Sequence, residues 1–254
     1  MMKKTWLAAL AMALLVCLLP VMALALEKVE ITSVTDNGDC TATMRWNNPN
    51  GGKVTVGAMA MTDDAAGNKL MIERNVTGSS FTFSTLAPEV DYLLLVCPDL
   101  ELDYAGVEPF RMSEPGKFDD FHFSVKDTNL MYFVMKGNDY SYNYAHDLSN
   151  DRIEDLLDEK DFWVRMNISV SARSKDTTLS TLVVVTSPTG YVATSASDMT
   201  IEKDWISFWR TMIYMNDAFE EMIEATGEIP TGKYQVKLYV DGRLANTSSF
   251  TIKD

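Results

Sequence analysis

The stretch that most limits what this chain can become is its last, IPTGKYQVKLYVDGRLANTSSFTI at 229–252. Pro230 and Gly232 signal a turn. Tyr234, Val236, Leu238 and Val240 then alternate with Lys233, Gln235, Lys237 and Tyr239, the period of two of a strand with one buried face. Asp241-Gly242 reverses the chain into a second strand that ends in Phe250 and Ile252. A two-stranded ribbon is marginal alone, so this hairpin closes a larger sheet, and the C-terminal half reads as a β-sandwich. Parity sets its register. A two-residue loop puts Val240 opposite Arg243 and throws Phe250 onto the face of Lys233. A loop of Asp241, Gly242 and Arg243 puts Val240 opposite Leu244 and Tyr234 opposite Phe250, and the apolar faces then agree. The three-residue loop is the expectation.

The first 25 residues read as an export signal: Lys3 and Lys4, an apolar run from Leu7 to Val21, and a small-residue cleavage site at Ala23-Leu24-Ala25. The mature chain then starts near Leu26, and the alternative is an uncleaved anchor. The formal net charge is −14, and it moves to −16 once Lys3 and Lys4 leave with the leader. So acidic a surface should be repelled by nucleic acid and by anionic membranes, and the expectation is no nucleic-acid partner and no membrane insertion after signal cleavage. The acidic pairs Asp63-Asp64 and Asp119-Asp120 lack the spacing of a calcium loop. Cys40 and Cys97 are the cysteines left after cleavage, too few for a disulfide-stapled miniprotein.

From Leu26 onward the chain alternates short strands and turns. VEITSV opens, Asp36-Asn37-Gly38-Asp39 turns, and CTATMRW places Cys40, Ala42, Met44 and Trp46 on one face. VTVGAMAM is a third strand, followed by a polar loop, and FTF at Phe81–Phe83 is another. LAPEVDYLLLV then leads into a run of Leu and Val. Trp46 late in the second strand, with Leu86, Pro88 and Tyr92 ahead of the sixth, resembles a fibronectin type III domain over roughly Leu26 to Met112. The resemblance implies a tyrosine corner, whose hydroxyl bonds to nearby backbone. It also implies that the strands carrying Cys40 and Cys97 run the same way in opposite sheets, so the two cysteines sit far apart and do not bond. The stretch from Cys97 to Met112, with Pro98 and Pro109, departs from the family where a plain last strand belongs.

Ser113-Glu114-Pro115-Gly116 is the best boundary, and a second domain follows at 117–254. FDDFHFSV and LMYFVM read as strands, then NDYSYNYAHD, FWVRMNISVS, LSTLVVVTS and DWISFWRTMIY. Two short helices interrupt them. One is capped at Ser149 or Asn150, with Ile153, Leu156 and Leu157 as its apolar stripe. The other opens on the capping-box pattern Asp217 to Glu220, buries Phe219, Met222 and Ile223, and ends at Gly227. The closing hairpin resembles the last two strands of bacterial immunoglobulin-like modules. The fold class is all-β: two tandem β-sandwiches, the second with two short helices.

Chemistry-bearing patterns are sparse. His122 alternates between Phe121 and Phe123, and His146 sits beside Asp147. Neither has metal-ligand spacing, and no Gly-x-Ser-x-Gly elbow is present. No catalytic residue, metal site or cofactor is assigned. The aromatics carry the functional signal. Tyr140, Tyr142 and Tyr144 share a face of an extended segment, and Trp205 and Trp209 share a face as strand or helix. Such rings serve a sheet core or a stacking platform for a sugar or peptide. The sequons at Asn75, Asn167 and Asn246 matter only in a glycosylating host. The leading reading is a secreted or cell-surface protein that is not an enzyme and that binds or scaffolds an extracellular protein or glycan. The second is an accessory or inhibitory module of a secreted enzyme system. The third, a glycan hydrolase with dispersed carboxylates, requires a deep aromatic-rimmed cleft holding two facing acids.

Overall fold

The computed structural model describes residues 26–61, 70–98, 101–136 and 139–254, so the leader and Asp63-Asp64 lie outside the described residues. Seven strands come first: β1 (Glu30–Asp36), β2 (Ala42–Asn47), β3 (Val54–Ala60), β4 (Leu70–Val76), β5 (Ser80–Phe83), β6 (Asp91–Pro98) and β7 (Gly106–Arg111). They form a sheet β1-β2-β5 facing a sheet β4-β3-β6-β7, all antiparallel. Ala42, Met44 and Trp46 point inward as their alternation requires, against Val54, Val56, Ala58, Leu94 and Val96. The Tyr92 hydroxyl accepts the Ala87 N–H at 2.8 Å, the bond of a tyrosine corner. This strand order with that corner makes the first sandwich fibronectin type III-like.

Two features of this half depart from the sequence reading. LMIERNV, read as part of a polar loop, is β4 at the sheet edge. The last strand is β7, also an edge, where Pro109 is tolerated because a residue without an N–H can face open solvent there. Cys40 lies just ahead of β2, buried and with φ 61°, and it is not bonded to Cys97.

The second half contains β8 (Phe123–Lys136), β9 (Asp139–Tyr144), α1 (Asn150–Leu156), β10 (Phe162–Val170), β11 (Thr177–Thr186), β12 (Val192–Ile201), β13 (Ser207–Tyr214), α2 (Asn216–Thr226), β14 (Gly232–Val240) and β15 (Arg243–Ile252). The sheets are β13-β10-β8-β9 and β12-β11-β14-β15, and their inner faces share one apolar core. Helices α1 and α2 cover one end of that core with Ile153, Leu156, Phe219 and Met222. Ser149 caps α1, its Oγ accepting the Arg152 N–H. The capping box at Asp217 does not form. Helix α2 starts at Asn216, whose buried side chain accepts the Phe162 N–H and donates to the carbonyls of Leu157 and Lys160. Gly227 ends the helix in the left-handed region at φ 91°.

The closing hairpin pairs Tyr234 with Phe250, which stack at 5.0 Å, but not through a three-residue loop. Asp241 (φ 44°) and Gly242 (φ 72°) form a two-residue turn with both φ positive, the geometry that matches strand twist. Val240 faces Arg243, and a bulge at Ala245 then restores parity, so Phe250 is buried after all. A similar device acts in β8, which is one fourteen-residue strand where the sequence suggested two. A bulge at Lys126 moves the inward set from Phe123 and Val125 to Thr128, Leu130 and Tyr132, and so turns Asn129, Met131 and Phe133 outward.

The two sandwiches pack tightly. Leu182, Val184, Val192 and Tyr239 lie on the outer face of β12-β11-β14-β15, are buried, and belong to the core cluster of the first sandwich. Lys237, on the same face, donates to Glu89 and Glu114, and the Tyr239 hydroxyl donates to Glu114. The Ser113-to-Gly116 joint is pinned from both sides. Ser113 N–H and Oγ donate to Asp36, and Gly116 C=O accepts from Leu244 N–H. Burial pushes Asp36 up, yet the bonds from Ser113 and Gly38 outweigh it and leave its carboxyl below the ordinary value. The hairpin tip completes the junction, with Cys40 Sγ 3.6 Å from the Gly242 carbonyl.

Candidate binding site

With one outer face of the second sandwich covered by the first, the other, on β13-β10-β8-β9, is open. Alternation decides what it shows. β10 has the burial pattern of a strict period of two, with Phe162, Val164, Met166, Ile168 and Val170 inward, so Trp163, Arg165 and Asn167 point out. β9 contributes Tyr140, Tyr142 and Tyr144, β8 contributes Asn129, Met131, Phe133 and Met135, and β13 contributes Trp209 and Tyr214. Tyr140 is 72% exposed, Met135 68%, Tyr144 44% and Trp209 37%.

These residues form contacts of their own. Phe133 lies 5.9 Å from Tyr140 and 5.6 Å from Tyr142, and Trp163 lies 4.9 Å from Tyr214. Met131 is buried yet sits in neither sandwich core. The Arg165 guanidinium stands at the centre, 3.9 Å from the Tyr142 ring centroid and 5.7 Å from that of Trp209. Its Nη1 reaches the Met131 sulfur at 3.9 Å, a weak contact. Its Nε is buried without an acceptor, as is Nδ2 of Asn129, its cross-strand neighbour. Burial lowers the Arg165 pKa, while Tyr142 and Tyr144 oppose the shift. Among the described residues no carboxylate lies within ion-pair distance of Arg165.

Of the residues singled out in the sequence, Tyr140, Tyr142, Tyr144 and Trp209 are brought to one face. Tyr142 has one ring face occupied by Arg165, so it orients the guanidinium. Trp205 is not part of the set: it precedes β13 and packs 5.0 Å from Phe208, a residue turned toward the core. The shared Trp205–Trp209 face is thereby corrected, because the strand begins only at Ser207. Arg165, Asn129 and Phe133 were missed. The alternation of FWVRMNISVS already placed Arg165 opposite the buried set.

His122 is exposed, and His146 lies 3.3 Å from Asp147 and against Tyr144. The junction between the sandwiches holds two grooves of about 350 and 280 Å³. The larger brings Asp39 and Asp198 to a rim of Ser84, Thr181 and Ser197, without an aromatic, and Asp39 is engaged by Thr41. Among the described residues no group of three or more His, Cys, Asp or Glu is placed to hold a metal ion. Among them, too, no helix is long and apolar enough to cross a membrane.

No family model and no curated protein matches this chain. Solved structures do. A two-domain fibronectin type III segment of chicken tenascin matches at 10% identity and TM-score 0.27, over 90% of this chain and 99% of that one. The chicken CNTN1 FN1-FN3 domains match at 9% identity and TM-score 0.24, over 91% of this chain and 69% of theirs. Such scores describe no close superposition, and the fold assignment rests on strand order and the tyrosine corner.

Proposed function

We propose that this is an exported, non-catalytic binding protein whose outer aromatic face on β13-β10-β8-β9 contacts an extracellular glycan or protein. One observation carries the reading. The second sandwich has two outer faces, and the sequence furnishes both with apolar and aromatic side chains. The first is used up by the neighbouring sandwich, whereas the second leaves Met135, Tyr140, Tyr144 and Trp209 in solvent. Contiguous exposed rings on an acidic protein mark a contact surface. The tight junction supports a display role, because it holds that face rigidly on the side away from the first sandwich.

An array of extracellular glycans and surface proteins, probed with the chain from Leu26, tests this. Binding is expected, and Tyr140→Ser with Tyr144→Ser is expected to abolish it without moving Tm. Binding that survives both substitutions contradicts the proposal.

A further inference from the structure

The geometry points to a carboxylate subsite at the centre of the aromatic face, with Arg165 as the anion-binding residue and a uronic-acid pyranose as the ligand. The inference rests on reading this face as a binding surface and names its chemistry.

Arg165 is not explained as a structural ion pair, since among the described residues it has no carboxylate partner. Covering Met131 needs no charge, and a Leu or Met would do so without desolvating a cation. The guanidinium is instead held by stacking on Tyr142 and by its approach to Trp209, which fixes its plane. Among the described residues its one hydrogen-bond contact is the weak one to the Met131 sulfur. A planar fork so held and so little engaged suits bidentate capture of a carboxylate. Nε of Arg165 and Nδ2 of Asn129 are closed off from solvent, so the fork meets a ligand through its terminal nitrogens.

Charge and shape select the rest of the ligand. A net charge of −14 repels a polyanion, so a single local carboxylate fits better than a nucleic acid or a sulfated polymer. Trp209 beside the guanidinium, with Tyr144 on the same sheet face, offers exposed rings suited to the C–H face of a pyranose. An extended peptide added to the sheet would pair with the backbone edge of β9 and leave this face untouched.

Methyl β-D-glucuronide and methyl β-D-glucoside differ only in carrying a carboxylate or a hydroxymethyl, and NMR titration of the chain from Leu26 compares them. The glucuronide is expected to saturate with Kd on the order of 1 mM, the scale for so small a ligand. It should bind at least about tenfold tighter than the glucoside and shift the Arg165 Nε–H and Trp209 indole signals. Arg165→Met, which keeps the cover over Met131, should erase that preference. Arg165→Lys, which keeps charge but loses the fork, should erase most of it. Equal affinities, no saturation by either sugar, or an Arg165 Nε–H that does not move would each overturn the subsite. If array binding still depends on Tyr140 and Tyr144, the broader proposal stands while this one falls. Sedimentation showing a dimer closed through this face would overturn both.

Discussion

Replacing Leu182 with Ala tests how the two sandwiches are joined. Leu182 lies on β11, 5% exposed, on the face turned away from its own core and into the first sandwich. The substitution deletes three carbons, a transfer loss of about 2.4 kcal/mol at about 0.8 kcal/mol per buried methylene. The cavity left between two rigid sheets raises the cost to about 3–4 kcal/mol. Thr178→Ala, on the same strand but exposed, should stay within about 0.5 kcal/mol. Hydrogen exchange with mass spectrometry across a urea series reads the sandwiches separately, through peptides covering Ala42–Asn47 and Phe162–Val170. Both peptides are expected to lose protection at one midpoint, shifted downward together in Leu182→Ala. A cost below about 1 kcal/mol, the level of a surface substitution, or two separate midpoints in the unmodified protein, would refute the shared core.

Gly242→Ala should destabilise far more than Gly190→Ala in urea unfolding. Both have positive φ, but a Cβ at Gly242 would sit 2.5 Å from the Asp39 Cα, while Gly190 has open space. Lys237→Met should expose a pH signature of the junction in thermal melts. Glu89 is held below the ordinary carboxylate value, chiefly by its hydrogen bond from Lys237. Its stabilisation is therefore present above the unfolded value and lost as pH falls through the lowered one. Burial pushes Lys237 down, but the bonds to Glu114 and Glu89 leave it raised, so its stabilisation is lost only as pH rises through that raised value. The Tm gap between native protein and variant should hold near neutrality and shrink below about pH 4. A gap constant down to pH 3 would contradict the assignment. Finally, iodoacetamide in denaturant without reductant should add two labels to the chain from Leu26, one each on Cys40 and Cys97. No label would indicate the disulfide that is absent here.

Most of the fold was legible because strands with one wet face announce themselves. The alternation in CTATMRW, FWVRMNISVS and KYQVKLYV sets inward and outward residues correctly. Parity arguments failed wherever a bulge intervened. The Ala245 bulge let a two-residue turn coexist with a buried Phe250, and the Lys126 bulge merged two apparent strands while switching their faces. Bulges have no strong residue signature, so the platform floor of Met131 and Phe133 could not be read from spacing. The junction was hinted at but not recognised. LVVV in β11 is apolar on both faces, the mark of a strand covered twice, and Tyr239 sat among residues assigned to solvent. β4 escaped because LMIERNV is an edge strand with an exposed, charged centre. Of the site, the tyrosine stripe was visible, but Arg165 acquires meaning only once β8, β9, β10 and β13 are side by side.

The most direct measurement is hydroxyl-radical footprinting of the chain from Leu26, free and bound to the glycan or protein that the array selects. In the free protein Tyr140, Tyr144, Met135 and Trp209 should be modified rapidly while Tyr239 and Trp46, both buried, resist. On binding, protection should fall on those four exposed residues and leave Tyr104, Met61 and Ile206, which lie off the face, reacting as before. Unreactive Tyr140 and Tyr144 in the free protein, or protection centred anywhere other than this sheet, would contradict the account.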